Sequence, residues 1–135
     1  MAGRTMKAAM LRQVGQPLSI ESVSIDEPGP HEVLIRTVAA GVCHSDLHFI
    51  DGSYPARLPS VLGHESAGVV EAVGEHVRTV KVGDHVITCL SAYCGRCADC
   101  LTGHMAVCVS PDTRRPRGAP PRLTRDGAAD RKSVV

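Results

Sequence analysis

Residues 63–77 read GHESAGVVEAVGEHV, and this stretch says most about the fold. Its central part, SAGVVEAVG at 66–74, is rich in valine and bounded by glycine, a pattern that predicts a β-strand because β-branched side chains suit the extended, pleated backbone. His64 and Glu65 come directly before this run. The sequence therefore predicts two polar, potentially metal-binding side chains at the start of a buried strand.

The segments on both sides predict further short strands and one short helix. The other predicted strands lie at 6–12, at 18–25, at 32–42 and in a strand–turn–strand unit at 80–87. A change of hydrophobic phase within 18–25 indicates a bulge near Ser22. Residues 44–51 predict a short helix with Ser45 as its N-cap. Many short strands favour a mostly β fold, a small barrel or sandwich.

Composition limits the class of protein. The chain has 135 residues, which suits one domain, and it is 43% hydrophobic and 21% charged, as in globular proteins. Up to residue 108 there are eight Lys/Arg and eleven Asp/Glu, which gives no electrostatic reason to expect binding to nucleic acid or an anionic membrane. No signal peptide and no apolar run of about 18 residues is visible, so we expect a soluble, cytoplasmic protein.

The cysteines are clustered. Five of the six fall within 89–108, and four of them follow the spacing C-x2-C-x2-C-x7-C: Cys94, Cys97, Cys100 and Cys108. Four thiolates in a tight turn suit a closed structural zinc site, and zinc would also fold a loop that has little apolar content of its own. Disulfides or unligated thiols are the alternatives. Cys89 lies outside the spacing and is interpreted as a small buried hydrophobic residue.

A second group of polar residues is weaker when judged by spacing. Cys43 follows the predicted strand at 32–42, and His64 precedes the strand at 66–74. A strand-end Cys and a strand-start His could meet at one end of a barrel and form an open zinc site. A lone histidine is more often structural, so the residues alone leave both interpretations open.

Three motifs, taken together, resemble those of the zinc-containing alcohol dehydrogenases of the medium-chain dehydrogenase family. They are Gly41-Val42-Cys43-His44-Ser45-Asp46, then Gly63-His64-Glu65-x2-Gly68-x5-Gly74-x2-Val77, then the four-cysteine spacing. The resemblance runs from about Met6 to Cys108. It implies a GroES-like irregular barrel over 1–108 with a protruding structural-zinc loop at 89–108, and a family Rossmann domain that these residues do not contain.

The resemblance also implies the metal ligands. Cys43 and His64 match the first two catalytic zinc ligands, and Glu65 matches an acid that can approach the metal. Asp46 matches a carboxylate that orients the ligand histidine, a role with clear physical sense. The four clustered cysteines match the structural zinc site. Zn²⁺ is therefore expected at both sites.

The implied reaction is the NAD(P)-dependent oxidation of a small alcohol to an aldehyde or ketone. Ser45 matches the hydroxyl that takes the alcohol proton, His48 matches the end of the relay to solvent, and His44 matches a contact to the cofactor pyrophosphate. The family forms homo-oligomers. No nucleic-acid or membrane partner is expected.

The chain departs from the family pattern after Cys108. The resemblance implies a third catalytic zinc ligand, a cysteine well beyond the structural-zinc loop, but no cysteine follows Cys108. There is also no G-x-G-x-x-G sequence of the kind that binds dinucleotides. We therefore interpret the chain as a truncated or frameshifted form that is inactive alone, with a disordered Pro/Arg-rich tail at 109–135. Two alternatives stay open. One is a non-catalytic zinc-binding module that docks to a partner, and the other is a nucleic-acid-binding protein built on the zinc lobe.

Overall fold

The computed structural model describes residues 4–113, 123–125 and 128–130. Strands predominate in these residues, as the sequence predicts. The chain divides into two compact units, one of Met1–Thr88 with Pro121–Val135 and one of Cys89–Pro120. Across the described ranges, none of the helices has the length and apolar character required to cross a bilayer.

The elements of the described residues follow one another in chain order. The strands are Arg4–Leu11 (β1), Ser19–Ile25 (β2), Val33–Ala40 (β3), Ser60–Val61 (β4), Ser66–Val73 (β5), His85–Ile87 (β6), Leu123–Arg125 (β7) and Ala128–Asp130 (β8). The helices are His44–Asp51 (α1) and Ala98–Leu101 (α2), with 3-10 turns at Met105–Val107 and Pro111–Thr113. The strands predicted at 6–12, 18–25, 32–42 and 66–74 are confirmed.

The first sheet has the strand order β4-β1-β2-β7-β8 and holds the hydrophobic core. Ala8 and Met10 of β1 and Val23 of β2 are buried together, and Ile25 and Val61 pack against them. Alternate residues of a strand point to opposite faces, and Ala8 and Met10 lie on the face of β1 that joins this core. The end of the strand is buried on both faces, because Leu11 is fully buried as well.

The predicted bulge near Ser22 is wrong. The β1–β2 register is continuous from Arg4↔Ile25 to Met10↔Ser19. The change of hydrophobic phase has another cause: Leu18 lies before β2 begins, and Ile20 is 70% exposed on the outer face. Only the second half of the segment follows the buried face of the strand.

The second sheet has the order β3-β5-β6, with β5 in the centre. Register irregularities occur in the β3–β5 pair, one of them between Thr37 and Ala39. Gly68 lies where a Cβ atom would overlap the carbonyl oxygen of Arg36 and would come within 2.7 Å of Ile35 Cγ2. The glycine at this position of the sequence motif therefore permits close approach of β3 to β5.

The strand–turn–strand unit predicted at 80–87 is only half correct, because only β6 is a strand. No strand forms at 80–82; a turn lies at 82–83 instead, and beside it Asp84 accepts hydrogen bonds from the amide of Lys81 at 3.0 Å and from its Nζ at 2.6 Å. These hydrogen bonds lower the pKa of Asp84 below its usual value. Gly83 closes the turn with a left-handed φ of 91°.

The tail contains more regular structure than expected. No strand is predicted after Val109, yet β7 pairs with the end of β2 through Ser24↔Thr124 and Ile25↔Leu123, and β8 pairs with β7. The sequence Asp126-Gly127 between the two strands is a hairpin signal that the composition of the tail obscured. The part of this expected disorder that falls on 114–122, 126–127 and 131–135 lies outside the described residues.

Candidate zinc centres

The unit Cys89–Pro120 brings four sulfur atoms together. The Sγ atoms of Cys94, Cys97, Cys100 and Cys108 all lie within 4.8 Å of one another. The Cys97–Cys100, Cys97–Cys108 and Cys94–Cys100 separations are 3.4, 3.8 and 4.0 Å. A zinc ion with four Zn–S bonds of about 2.3 Å requires sulfur atoms about 3.8 Å apart. The described cysteines fit that tetrahedron and are too far apart for disulfide bonds of about 2 Å.

Local backbone structure explains this convergence. Cys97 is the N-cap residue of α2, and its amide donates a hydrogen bond to Cys94 Sγ at 3.4 Å. Cys100 lies one turn further along the same helix, and Cys108 follows the 3-10 turn Met105–Val107. Gly95 adopts a left-handed φ of 72° between the first two cysteines, a conformation that glycine adopts without strain. The spacing of the motif therefore produces the site directly.

The thiols of this lobe differ in acidity. The backbone amide of Arg96 donates to Cys94 and lowers the pKa of that thiol to about 6. The backbone amide of Cys100 likewise acts to lower the pKa of Cys97. The hydrogen bond with the Cys100 thiol and burial outweigh this effect, and together they raise the pKa of Cys97 to about 11. The amide of Ser110 is the main reason that the pKa of Cys108 is lowered. Four adjacent thiols cannot all ionise unless a cation compensates their charge, which is what a divalent metal ion supplies.

The second constellation lies in the unit that contains both sheets. A sulfur of Cys43, a ring nitrogen of His64 and a carboxylate oxygen of Glu65 all lie within 4.8 Å of one another. Cys43 precedes α1, while His64 and Glu65 lie between β4 and β5. The strand-end Cys and the strand-start His therefore do meet, as the sequence suggested. One thiolate, one imidazole and one carboxylate form a donor set that zinc accepts in open sites with a vacant position.

Asp46 connects the two parts of this site. It is buried, with 8% of its surface exposed, and its Oδ2 accepts the amide hydrogen of Cys43 at 3.0 Å. Its Oδ1 lies 3.8 Å from Nδ1 of His64, while Nε2 of the same ring lies 3.8 Å from Glu65 Oε1. A carboxylate on the far side of a histidine ring orients the ring and leaves the other nitrogen for a metal.

The start of α1 differs from its prediction. Cys43, not Ser45, is the N-cap residue, with extended backbone angles φ −94° and ψ 154°. The Asp46 side chain takes the position of the acid in a capping box, three residues after the cap. The cap is therefore built from the same residues as the candidate metal site, and Ser45 lies inside the first turn.

Helix α1 carries the remaining candidate residues. Ser45 and His48 are three positions apart and half-buried, so they share one side of the helix. The His48 ring lies 4.7 Å from the exposed His44 ring and 4.8 Å from the Tyr54 ring. Nδ1 of His48 is buried and finds no hydrogen-bond partner in the described part of the chain. Tyr54, whose amide donates to the carbonyl of His48 at 2.9 Å, was not singled out by the sequence, because no spacing rule connects it to the motif.

Other candidate residues lie outside both groups. His76, His85 and His104 match no motif of the sequence and are exposed. Cys89 is exposed as well, so its interpretation as a buried hydrophobic residue is wrong. Cys89 comes two residues after β6 ends, where no partner strand covers it among the described residues. A cleft of about 380 Å³ lies beside Glu65, between the ends of β3, β5 and β6.

Comparison with known proteins adds independent information. A family model for the alcohol dehydrogenase GroES-like domain matches residues 29–134. The geraniol dehydrogenase of Castellaniella defragrans is 53% identical over 103 residues, which are 76% of this chain and 27% of that protein.

Solved structures agree with the expected fold. An alcohol dehydrogenase zinc-binding domain protein from Burkholderia ambifaria is 41% identical with a TM-score of 0.76, and the match covers 95% of this chain and 35% of that one. For benzyl alcohol dehydrogenase from Acinetobacter calcoaceticus the identity is 35% and the TM-score 0.73, with coverage of 94% and 35%. The chain thus spans about a third or less of the length of the relatives it matches.

Proposed function

This chain belongs to the family of alcohol dehydrogenases with a GroES-like domain, and we propose that it supplies the zinc-binding, catalytic part of an NAD(P)-dependent alcohol dehydrogenase. The observation that carries the proposal is the convergence of Cys43, His64 and Glu65 within 4.8 Å, with Asp46 behind the histidine. A separate four-thiol site in Cys89–Pro120 accompanies it. Catalytic zinc sites have an open position and structural zinc sites are closed by four protein ligands, and the chain contains one donor set of each kind.

The open site would hold its metal through the Cys43 thiolate, Nε2 of His64 and a Glu65 oxygen. A zinc ion bound there acts as a Lewis acid that lowers the pKa of a bound alcohol. Asp46 keeps the His64 ring turned so that Nε2 faces Glu65. Its hydrogen bond to the Cys43 amide fixes the other ligand relative to α1. The closed site would hold structural zinc through Cys94, Cys97, Cys100 and Cys108.

The proton of the alcohol would leave along α1. Ser45 accepts it from the substrate hydroxyl and passes it to His48, which releases it to solvent. The shared helical side of Ser45 and His48 supports this route, as does the buried Nδ1 of His48, which makes no hydrogen bond within the described residues and lies 3.9 Å from Asp51 Oδ2. His44, exposed at the first turn of the helix, would contact the pyrophosphate of NAD(P). The substrate would be a small alcohol, oxidised to an aldehyde or ketone.

Turnover would also require residues outside these 135. A further cysteine after Cys108 and a G-x-G-x-x-G sequence are both absent from them. Since the hydride must pass to a nicotinamide held in place, we propose that the 135 residues alone bind zinc but do not oxidise alcohols.

Two measurements test the proposal. The first is the number of zinc ions per chain in protein purified under reducing conditions. We expect Cys94→Ser to lose one zinc ion, and Cys43→Ser and His64→Ala each to lose a second ion that is bound more weakly. The second fuses these residues to the remaining part of the Castellaniella geraniol dehydrogenase and follows alcohol-dependent NAD(P) reduction. We expect activity in the fusion, none in Cys43→Ser, and none in the 135 residues alone.

The results separate the possibilities. Alcohol oxidation by the 135 residues alone would contradict the requirement for a second part. A fusion that folds and binds both metals but has no activity would favour a non-catalytic zinc module. In an active fusion, His48→Gln should lower kcat and change its pH profile if His48 conducts the proton, whereas a purely structural role would leave the profile unchanged.

A further inference from the structure

We propose that Gly41 is a positioning residue, whose lack of a side chain gives the Glu65 carboxylate the space it needs to face the Cys43–His64 site. The inference rests on the proposed function, because it gives a role to Gly41 only if Glu65 faces a metal there. Gly41 is the first residue of the motif that contains Cys43.

The two backbones are held against each other. Gly41 follows the end of β3, and Glu65 precedes the start of β5, so the pair lies one step beyond the last register pair, Ala40↔Ser66. The Gly41 amide donates to the Glu65 carbonyl at 2.9 Å. Neither residue can move away from the other without breaking this end of the β3–β5 pairing.

A side chain at position 41 would meet Glu65 first. A Cβ atom built on Gly41 would overlap Oε2 of Glu65 and would lie 3.1 Å from its Cβ and 3.2 Å from its Cδ, which are the three nearest heavy atoms. The backbone of Gly41 is outside the left-handed region, unlike that of Gly63 with its φ of 112°. Alanine could therefore adopt this conformation without backbone strain. Glycine is therefore required at position 41 because of the Glu65 side chain.

The space matters because of where the other carboxylate oxygen lies. With Oε2 against Gly41, Oε1 lies 3.8 Å from Nε2 of His64, the nitrogen that is turned away from Asp46. A methyl group at position 41 would force the Glu65 side chain into another rotamer and would carry Oε1 away from His64. Gly41→Ala should therefore act on the metal site through Glu65.

A double-mutant cycle in the 135-residue chain tests this. The variants are Gly41→Ala, Glu65→Ala and both together, and the readouts are the affinity for the second Zn²⁺ by chelator competition and the Co²⁺ absorption that the Cys43 thiolate produces. We expect each single variant to weaken the second site by about tenfold or more. In the Glu65→Ala background, Gly41→Ala should add less than about twofold, because the colliding carboxylate is gone.

Gly63→Ala is the matched control. Nothing lies within 4 Å of a Cβ there, but the left-handed φ strains any other residue, so its effect should be the same with or without Glu65. A loss caused by Gly41→Ala that is equal in both backgrounds, or no loss at all, would overturn the inference. If Cys43→Ser leaves the second metal unaffected, the proposed function fails and the inference fails with it; if Cys43→Ser removes the metal while Gly41→Ala does not weaken it, only the inference fails.

Discussion

The carboxylate of Asp46 faces Nδ1 of His64 at 3.8 Å, on the side of the ring away from Glu65. The distance is longer than a direct hydrogen bond, so the interaction shown is an electrostatic orientation of the imidazole. The other Asp46 oxygen holds the Cys43 amide at 3.0 Å. One buried carboxylate thereby orients two candidate ligands that are distant in sequence.

We predict that Asp46→Asn weakens the second zinc site by about 10- to 100-fold, the usual effect of removing a partner behind a ligand. Asparagine keeps an oxygen for the Cys43 amide, so the helix cap survives, but it loses the negative charge that faces His64. Chelator competition measures the affinity. Asp51→Asn, an exposed position of the same helix, is the control; an equal loss there would show that helix stability, and not the orientation of His64, is responsible.

The four-thiol lobe should lose its metal when a single sulfur is removed. We predict that Cys97→Ser, which removes the sulfur 3.4 Å from Cys100 and 3.8 Å from Cys108, costs one zinc per chain and exposes Cys89–Pro120 to proteolysis. Metal binding supplies folding free energy to loops of this kind. Metal analysis and limited proteolysis measure the two effects. Cys89→Ser, at an exposed cysteine outside the cluster, should retain the zinc, and a loss of zinc there would contradict the assigned ligand set.

The acidity of Cys94 predicts the number of protons that zinc releases. Its pKa, lowered to about 6 mainly by the Arg96 amide, keeps this thiol ionised at pH 7.5 before metal arrives. Ionisation of Cys94 is thus favoured above about pH 6 and is lost as the pH falls through that value. Calorimetry in buffers of different ionisation enthalpy should count fewer than four protons released per structural zinc at pH 7.5. A count of four would mean that Cys94 is still protonated in the metal-free lobe, and that its sulfur does not accept a hydrogen bond from the Arg96 amide there.

The four-thiol site was predictable because its ligands are close in sequence. Cysteines three residues apart, with Gly95 between the first two, determine the geometry locally, and the structure places the sulfur atoms as a tetrahedron requires. The meeting of Cys43 with His64 was different. The positions of the predicted strands allowed it but left it open, and the motif resemblance then favoured it, because the approach depends on how β3 and β5 pair.

What the sequence did not predict depends on partner strands. The continuous β1–β2 register removes the bulge expected near Ser22, since Ile20 points outward and does not join the buried face. The pairing of β7 with β2 is a long-range contact for which β2 shows no local signal. The space that Gly41 leaves for Glu65 arises in the same way, from two residues opposite each other across a strand pair.

Gly74 offers the sharpest test of the close packing behind the motif. A Cβ atom there would overlap the carbonyl oxygen of Gly29 and lie 2.5 Å from the carbonyl carbon and oxygen of Pro30. These are backbone atoms, so no side chain can rotate away. Hydrogen bonds from Gly74 to the Glu32 carbonyl at 2.9 Å and from His76 to the Pro30 carbonyl at 2.8 Å hold the two segments together.

We therefore predict that Gly74→Ala lowers the free energy of unfolding by about 1–3 kcal/mol, as overpacking in a dense interior does. Thermal unfolding should show this as a lower Tm, by about 3–5 °C for each kcal/mol in a chain of this size. Gly83→Asn is the control, because nothing lies within 4 Å of a Cβ at that turn and asparagine tolerates the left-handed region. If Gly74→Ala has the same Tm as the wild type, or if Gly83→Asn has the lower Tm of the two variants, then contact with the backbone of Gly29 and Pro30 is not the reason for glycine at position 74.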